Sequence, residues 1–163
     1  MAIVHSFVSG VADGADTAVV RPVDWNADHV DKDIKYVQLT VFAPDADCTT
    51  GDGKAYLYCP NTVDGYYLSS VWGAVGTAGT SDGPLEAQLW NVSDSLDILI
   101  QPISIELGEL YTSDATTQLS INTDADTIAA GDIIRVDIDT LTAGVVAKGF
   151  ILSLGFTPLA ATT

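Results

Sequence analysis

The residues able to do chemistry are unevenly supplied: 22 carboxylates against 6 lysines and arginines, with 2 histidines and 2 cysteines, in 163 residues. Asp137 and Asp139 stand two apart in IIRVDID, so a strand would put both on one face, about 7 Å apart. Two carboxylates at such a separation suit glycoside hydrolysis. That chemistry also needs a cleft with aromatic platforms. Here Ile134, Val136 and Ile138 alternate with Arg135, Asp137 and Asp139, which puts the aspartates on an outer, solvated face beside Arg135. A salt-bridged structural strand is the expected reading. Two further groups have the short spacing that hard cations favour. They are Asp45, Asp47 and Asp52 with Gly51 and Gly53, and Asp124, Asp126 and Asp132. Neither follows the EF-hand order with its closing glutamate, and aspartate is common in loops because its side chain caps turns. Solvated turns are expected at both, with no metal and no cofactor.

His5 and His29 lie near the N-terminus, where no rigid scaffold is foreseen to hold a base against a nucleophile. Turn or packing roles are expected. No G-x-S-x-G, H-E-x-x-H or phosphate-cradling glycine loop occurs, and the chain is not expected to be an enzyme. Cys48 and Cys59 fit neither zinc-finger spacing nor C-x-x-C. Two free thiols are expected, with a bridge left open if the two fall on paired strands. Tyr56, Tyr58, Tyr66 and Tyr67 cluster in sequence, with Trp72 nearby. Aromatics of this kind bind sugars, and they also fill cores and interfaces; core and interface are the expected use.

The formal net charge of −16 repels nucleic acid and anionic lipid, so neither is an expected partner. No apolar run approaches the roughly 20 residues of a membrane span, and no signal peptide is visible after Met1. Synthesis in a cytoplasm and a soluble product are expected. The basic residues are skewed: Arg21, Lys32 and Lys35 precede a long body that holds Lys54, Arg135 and Lys148.

The elements that would position these groups fall into two parts. Residues 1–35 carry small residues, aspartates and short apolar clusters without helical periodicity, and Pro22 favours extended chain. Phe7 and Trp25 are costly to leave in water. The segment is expected to be an extended arm that docks on the body, a sister subunit or a larger partner. From Tyr36 the chain reads as strands. Val37, Leu39 and Val41 alternate with Gln38 and Thr40; a loop over ADCTTGDG follows; then Ala55, Leu57 and Cys59 alternate with Tyr56 and Tyr58. Tyr66 to Val75 is a long strand with Gly73 as the place for a bend. Gly76 to Pro84 reads as a loop and Leu85 to Val92 as a strand. Asp97 to Leu107 is apolar with a break at Gln101-Pro102. A short helical turn is expected within Gly108 to Thr116, a short strand at Thr117 to Ile121, and a loop over NTDADTIAAGD. The strand of Ile134, Val136 and Ile138 and one with Phe150, Leu152, Leu154 and Phe156 on one face complete the body. About eight strands with turns at this spacing predict an all-β, jelly-roll β-sandwich over residues 36–158, with a loose tail at 159–163.

Two sets of residues also carry a resemblance. VSGVADGADTAVVRPVDWNADHV, around Arg21-Pro22-x-Asp24-Trp25-Asn26-x-Asp28-His29, looks like an N-terminal segment of phage structural proteins. TGDGKAYLYCP, SVWGAVGTAGT, AQLWNVSD, SIELGE, AAGDIIRVDID and AKGFILSLGF, in that order, resemble a jelly-roll domain of tailed-bacteriophage virion proteins, of the capsid decoration, cement or head-fibre kind. The likeness implies a structural role, oligomeric and often threefold assembly, and no cofactor. On that footing the expected function is a capsid decoration or cement protein on the virion exterior, binding the major capsid protein and assembling as a homotrimer. Phe7, Val19, Val20 and Trp25 would anchor the arm to the shell, with Arg21 pairing an acidic partner. Tyr56, Tyr58, Tyr66 and Tyr67, with the apolar run Ile98 to Ile105, would line the contacts between copies. The alternative is a receptor- or carbohydrate-binding module of a tail or fibre, with exposed aromatics or Gly76 to Pro84 meeting the host.

Overall fold

The computed structural model describes residues 2–3, 29–30, 34–80, 83–141 and 144–159. Contacts divide the chain into two units, Met1–Asp33 and Ile34–Thr163. The described part of the first is a pair of two-residue strands, β1 (Ala2–Ile3) and β2 (His29–Val30), antiparallel with Ala2 opposite Val30. The arm anchors Phe7, Val19, Val20, Arg21 and Trp25 lie outside the described residues.

The second unit is built from β3 (Lys35–Thr40), β4 (Gly51–Tyr58), β5 (Tyr66–Thr77), β6 (Leu85–Asn91), β7 (Leu96–Asp97), β8 (Leu99–Gln101), β9 (Ile103–Ile105), β10 (Ser120–Ile121), β11 (Thr127–Ile128), β12 (Ile133–Thr140) and β13 (Lys148–Pro158). Two short 3-10 turns, Asn61–Val63 and Thr112–Asp114, are the helical elements among the described residues. A four-stranded antiparallel sheet runs β11-β5-β13-β3. A five-stranded one runs β4-β12-β6-β7, with β9 also on β6. Counting β7 to β9 as one interrupted course and leaving aside the two-residue β10, which pairs with β8 alone, the first sheet takes the first, eighth, third and sixth courses. The second takes the second, seventh, fourth and fifth. That is the double Greek-key order of a jelly roll.

Period-2 patterning explains why the two sheets close on each other. Leu85, Ala87 and Leu89 of β6 and Ile134, Val136 and Ile138 of β12 point inward from the five-stranded sheet. Phe150, Leu152, Leu154 and Phe156 of β13 with Leu68, Val71 and Val75 of β5 point inward from the other. Burying each of the larger of these side chains is worth about 1.5–3 kcal/mol relative to exposure, so the register of both sheets is strongly fixed.

Several local expectations are corrected. Gly51 to Gly53 open β4 instead of closing a loop, because Gly51 pairs with Ile138 across a register shift. The aspartate-rich 122–132 stretch holds a strand, β11, whose Thr127 and Ile128 pair with Tyr67 and Tyr66. Gly73 lies in unbroken ladder opposite Leu152, and the irregularity falls instead at Gly155/Phe156. Glycine is needed at position 73 because the Thr112 methyl and the Phe150 and Leu152 side chains occupy the space of a Cβ. The apolar run Ile98 to Ile105 is largely core: Ile98, Leu99, Ile103 and Ile105 are buried, and Ile100 is exposed. Pro102 does break it, between β8 and β9. Gly149 takes φ +68°, and a Cβ there would meet the Pro44 backbone at 2.5 Å, so the AKGF glycine is sterically required.

Candidate functional site

Each sheet turns one face outward, and the two faces differ in kind. On the five-stranded sheet, β12 presents Ile133, Arg135, Asp137 and Asp139 at alternate positions. Register sets Arg135 between Tyr56 of β4 and Trp90 of β6. Its Nη2 and Nε donate to the same oxygen of Asp137 at 2.6 and 3.1 Å, and Nη2 reaches Asp52 at 3.4 Å. The guanidinium carbon lies 5.9 Å from the Trp90 ring centroid, within cation–π range. The other Asp137 oxygen accepts the Gly53 amide at 2.8 Å.

Asp137 is therefore not solvated as its strand position suggests. It is 6% exposed, covered by Arg135 and the Gly53 backbone, and both its oxygens are engaged. The hydrogen bond to Asp137 raises the Arg135 pKa above its ordinary value. Burial raises the Asp139 pKa, helped by the charges of Asp137, Asp97, Asp52 and Glu86. A carboxylate clamped by a guanidinium and a backbone amide is committed to structure, so Asp137 and Asp139 do not present two free carboxylates to a sugar.

The fold separates the four tyrosines. Tyr56 and Tyr58 are exposed on β4, an edge strand, opposite Arg135 and Ile133. Tyr66 and Tyr67 begin β5 in the other sheet. Tyr66 is 7% exposed and belongs to the core, which removes it from any contact between copies; Tyr67 is half-buried.

On the four-stranded sheet the outward positions read Tyr36, Gln38 and Thr40 on β3, Ile151, Ser153, Gly155 and Thr157 on β13, and Tyr67, Ser70, Trp72 and Ala74 on β5. None is charged. Trp72 and Tyr111 are 56% and 53% exposed. They are brought together by a bridge between Ala74 and Tyr111, by the Val75 amide donating to the Leu110 carbonyl at 2.9 Å, and by the Gly73 amide donating to Thr112 Oγ1 at 3.1 Å. Trp72 is thus a diagonal neighbour of Tyr111, a placement within reach of large rings. Alternation with Val71, Gly73 and Val75 turns Trp72 outward, the register shift at Ser69 having reversed the phase set by Tyr66 and Leu68. Nothing in the pattern around Tyr111 shows that it joins the same face.

The aspartate groups are drawn to separate partners. Asp47 pairs with Lys148 at 3.1 Å and Asp52 with Arg135. Asp132 is buried, accepting the Ala129 amide at 2.9 Å and, at 3.4 Å, the Asn91 side-chain amide. Among the described residues no three His, Cys, Asp or Glu side chains are grouped to hold a metal ion. Cys48 and Cys59 are free and buried, and desolvation pushes both thiols up to about 11. No helix among the described residues is long and apolar enough to cross a membrane. No family model matches the chain, and no curated protein or solved structure matches it; what its faces do must be read from their residues.

Proposed function

We propose that the chain is a non-enzymatic structural module, a decoration or cement protein that binds the major capsid protein on the outside of a tailed-phage head. One observation carries this reading. The six fragments that resemble virion jelly-roll proteins fall, in chain order, on β4, β5, β6, β9, β12 and β13, which include the central strands of both sheets. A fold alone assigns no function; here the likeness coincides with the framework of the sandwich. The engagement of Asp137 by Arg135 and Gly53 adds support, since it assigns the acidic strand a structural job.

In this reading copies assemble as a trimer, the threefold count coming from the family likeness. β4 offers the contact: an edge strand with unpaired backbone groups, bearing exposed Tyr56 and Tyr58 beside Ile133. At −16 per chain, association must rest on local apolar burial. Reconstruction of the particle encoded with this chain is the test. Density for the sandwich over the whole shell is expected, and absence from purified particles would overturn the proposal. Light scattering on the free protein should give three times 17.1 kDa; a monomer would overturn the self-assembly. A few copies at the tail would favour a receptor- or carbohydrate-binding module of a tail or fibre, the reading to which the exposed Trp72 and Tyr111 lend weight.

A further inference from the structure

The uncharged face has chemistry that shell attachment does not use. Two adjoining hollows of about 160 and 310 Å³ share Trp72 and Ser113. Trp72 borders both. The first is also lined by Gly73, Ala74, Tyr111, Ile151, Gln38 and Ser153. The second is lined by Ser69, Ser70, Thr112 and Gln118 among others. Neither lining contains a charged residue, in a chain where 17% of residues are charged. Asp114 accepts the Ser113 hydroxyl at 3.2 Å but lies outside both linings.

These features select a ligand class. A charged ligand gains no ion pair here, and an anion also meets the repulsion of a strongly acidic protein. A purely apolar ligand would desolvate hydroxyls and amides with nothing to pair them. A pyranose ring meets both demands, since its axial C–H face stacks on an aromatic ring while equatorial hydroxyls bond to the polar side chains beside it. Among the described residues, the side chains of Gln38, Ser153, Trp72 and Tyr111 make no hydrogen bond, so their polar atoms are free for a ligand. The hollows are open and both border one indole, a form suited to a chain of sugars passing over Trp72.

We propose that the outer face of the four-stranded sheet binds neutral hexopyranose oligosaccharides across Trp72, with Tyr111 as the second stacking ring and Gln38, Ser153 and Ser113 as hydrogen-bonding partners. The site holds whether or not the chain decorates a head. The test is calorimetric titration of the full chain with maltoheptaose, cellohexaose, mannohexaose and N-acetylglucosamine hexamer, with oligogalacturonate as the charged counterpart. At least one neutral oligosaccharide should bind, and oligogalacturonate should not. Trp72→Ala and Tyr111→Ala should each weaken that binding at least about tenfold, and Trp72→Phe should retain most of it. Ala74→Trp, which fills the first hollow, should abolish it while leaving the unfolding transition cooperative. Absence of binding by all four neutral probes at about 5 mM, or binding unchanged in folded Trp72→Ala, would overturn the proposal. So would a drop in molecular mass in Trp72→Ala, which would show the face to be covered by a second copy.

Discussion

The two outer faces of one sandwich answer the same problem in opposite ways. The face around Arg135 consumes its own polarity: guanidinium, two carboxylates, a backbone amide and an indole satisfy one another. The face around Trp72 leaves the rings of Trp72 and Tyr111 and the polar atoms of Gln38 and Ser153 unspent. A side chain's partners, more than its type, separate a brace from a binding surface. A residue on the first face should therefore matter to stability, and one on the second should matter to ligand and hardly to stability.

The largest effect sets the scale. Phe150 belongs to the wall both faces share, and Phe150→Ala should cost about 3–5 kcal/mol in chemical denaturation. Arg135→Ala should come next, because it strands a buried Asp137 carboxylate without its cation. If Arg135→Ala costs no more than Trp72→Ala, the contrast between the faces fails.

Asp139 gives a smaller, pH-dependent signal. Its native pKa is raised above 3.8, so the native state holds this proton more tightly than the unfolded chain does. Ionisation thus costs stability. The cost is fully present above the raised native value, shrinks as pH falls through it, and is gone below about 3.8. Asp139→Asn should stabilise the protein at about pH 7 by less than about 1 kcal/mol, discounted for exposure, and should have no effect near pH 3. A stabilisation that persisted at pH 3 would rule out titration as the cause. Smallest of all, Trp72→Ala should leave thermal stability within about 0.5 kcal/mol, which makes its effect on sugar binding cleanly readable.

Much of the framework was legible because burial writes itself into a strand every second residue. Ile134, Val136 and Ile138, and Phe150 through Phe156, were readable for that reason, and so was the jelly-roll class. β11 was not, since its two residues are held by pairing to Tyr66 and Tyr67 and carry no periodic signal of their own. Gly51 and Gly53 read as a turn because positive φ is the usual reason for glycine, and both do have positive φ, yet within a bulged edge strand. The burial of Asp137 escaped because its cover comes from across the sheet, through the Gly53 amide. Tyr111 escaped for the same reason: its bridge to Ala74 and the hydrogen bonds on either side of that bridge set it beside Trp72. Local patterns reveal which way a residue points; non-local pairing decides what it meets.

The two buried thiols bracket β4, one on the loop before it and one just after its last residue. With pKa values near 11 in place of 9, each carries about a hundredfold less thiolate at neutral pH than a free cysteine, and neither meets solvent. A thiol reagent can then react only when the chain around that cysteine opens. The protein carries a built-in clock at each end of its edge strand, with no label to introduce. Alkylation rates at Cys48 and Cys59 report how often that margin of the sandwich breathes, and a neighbour docked along β4 would slow both clocks together.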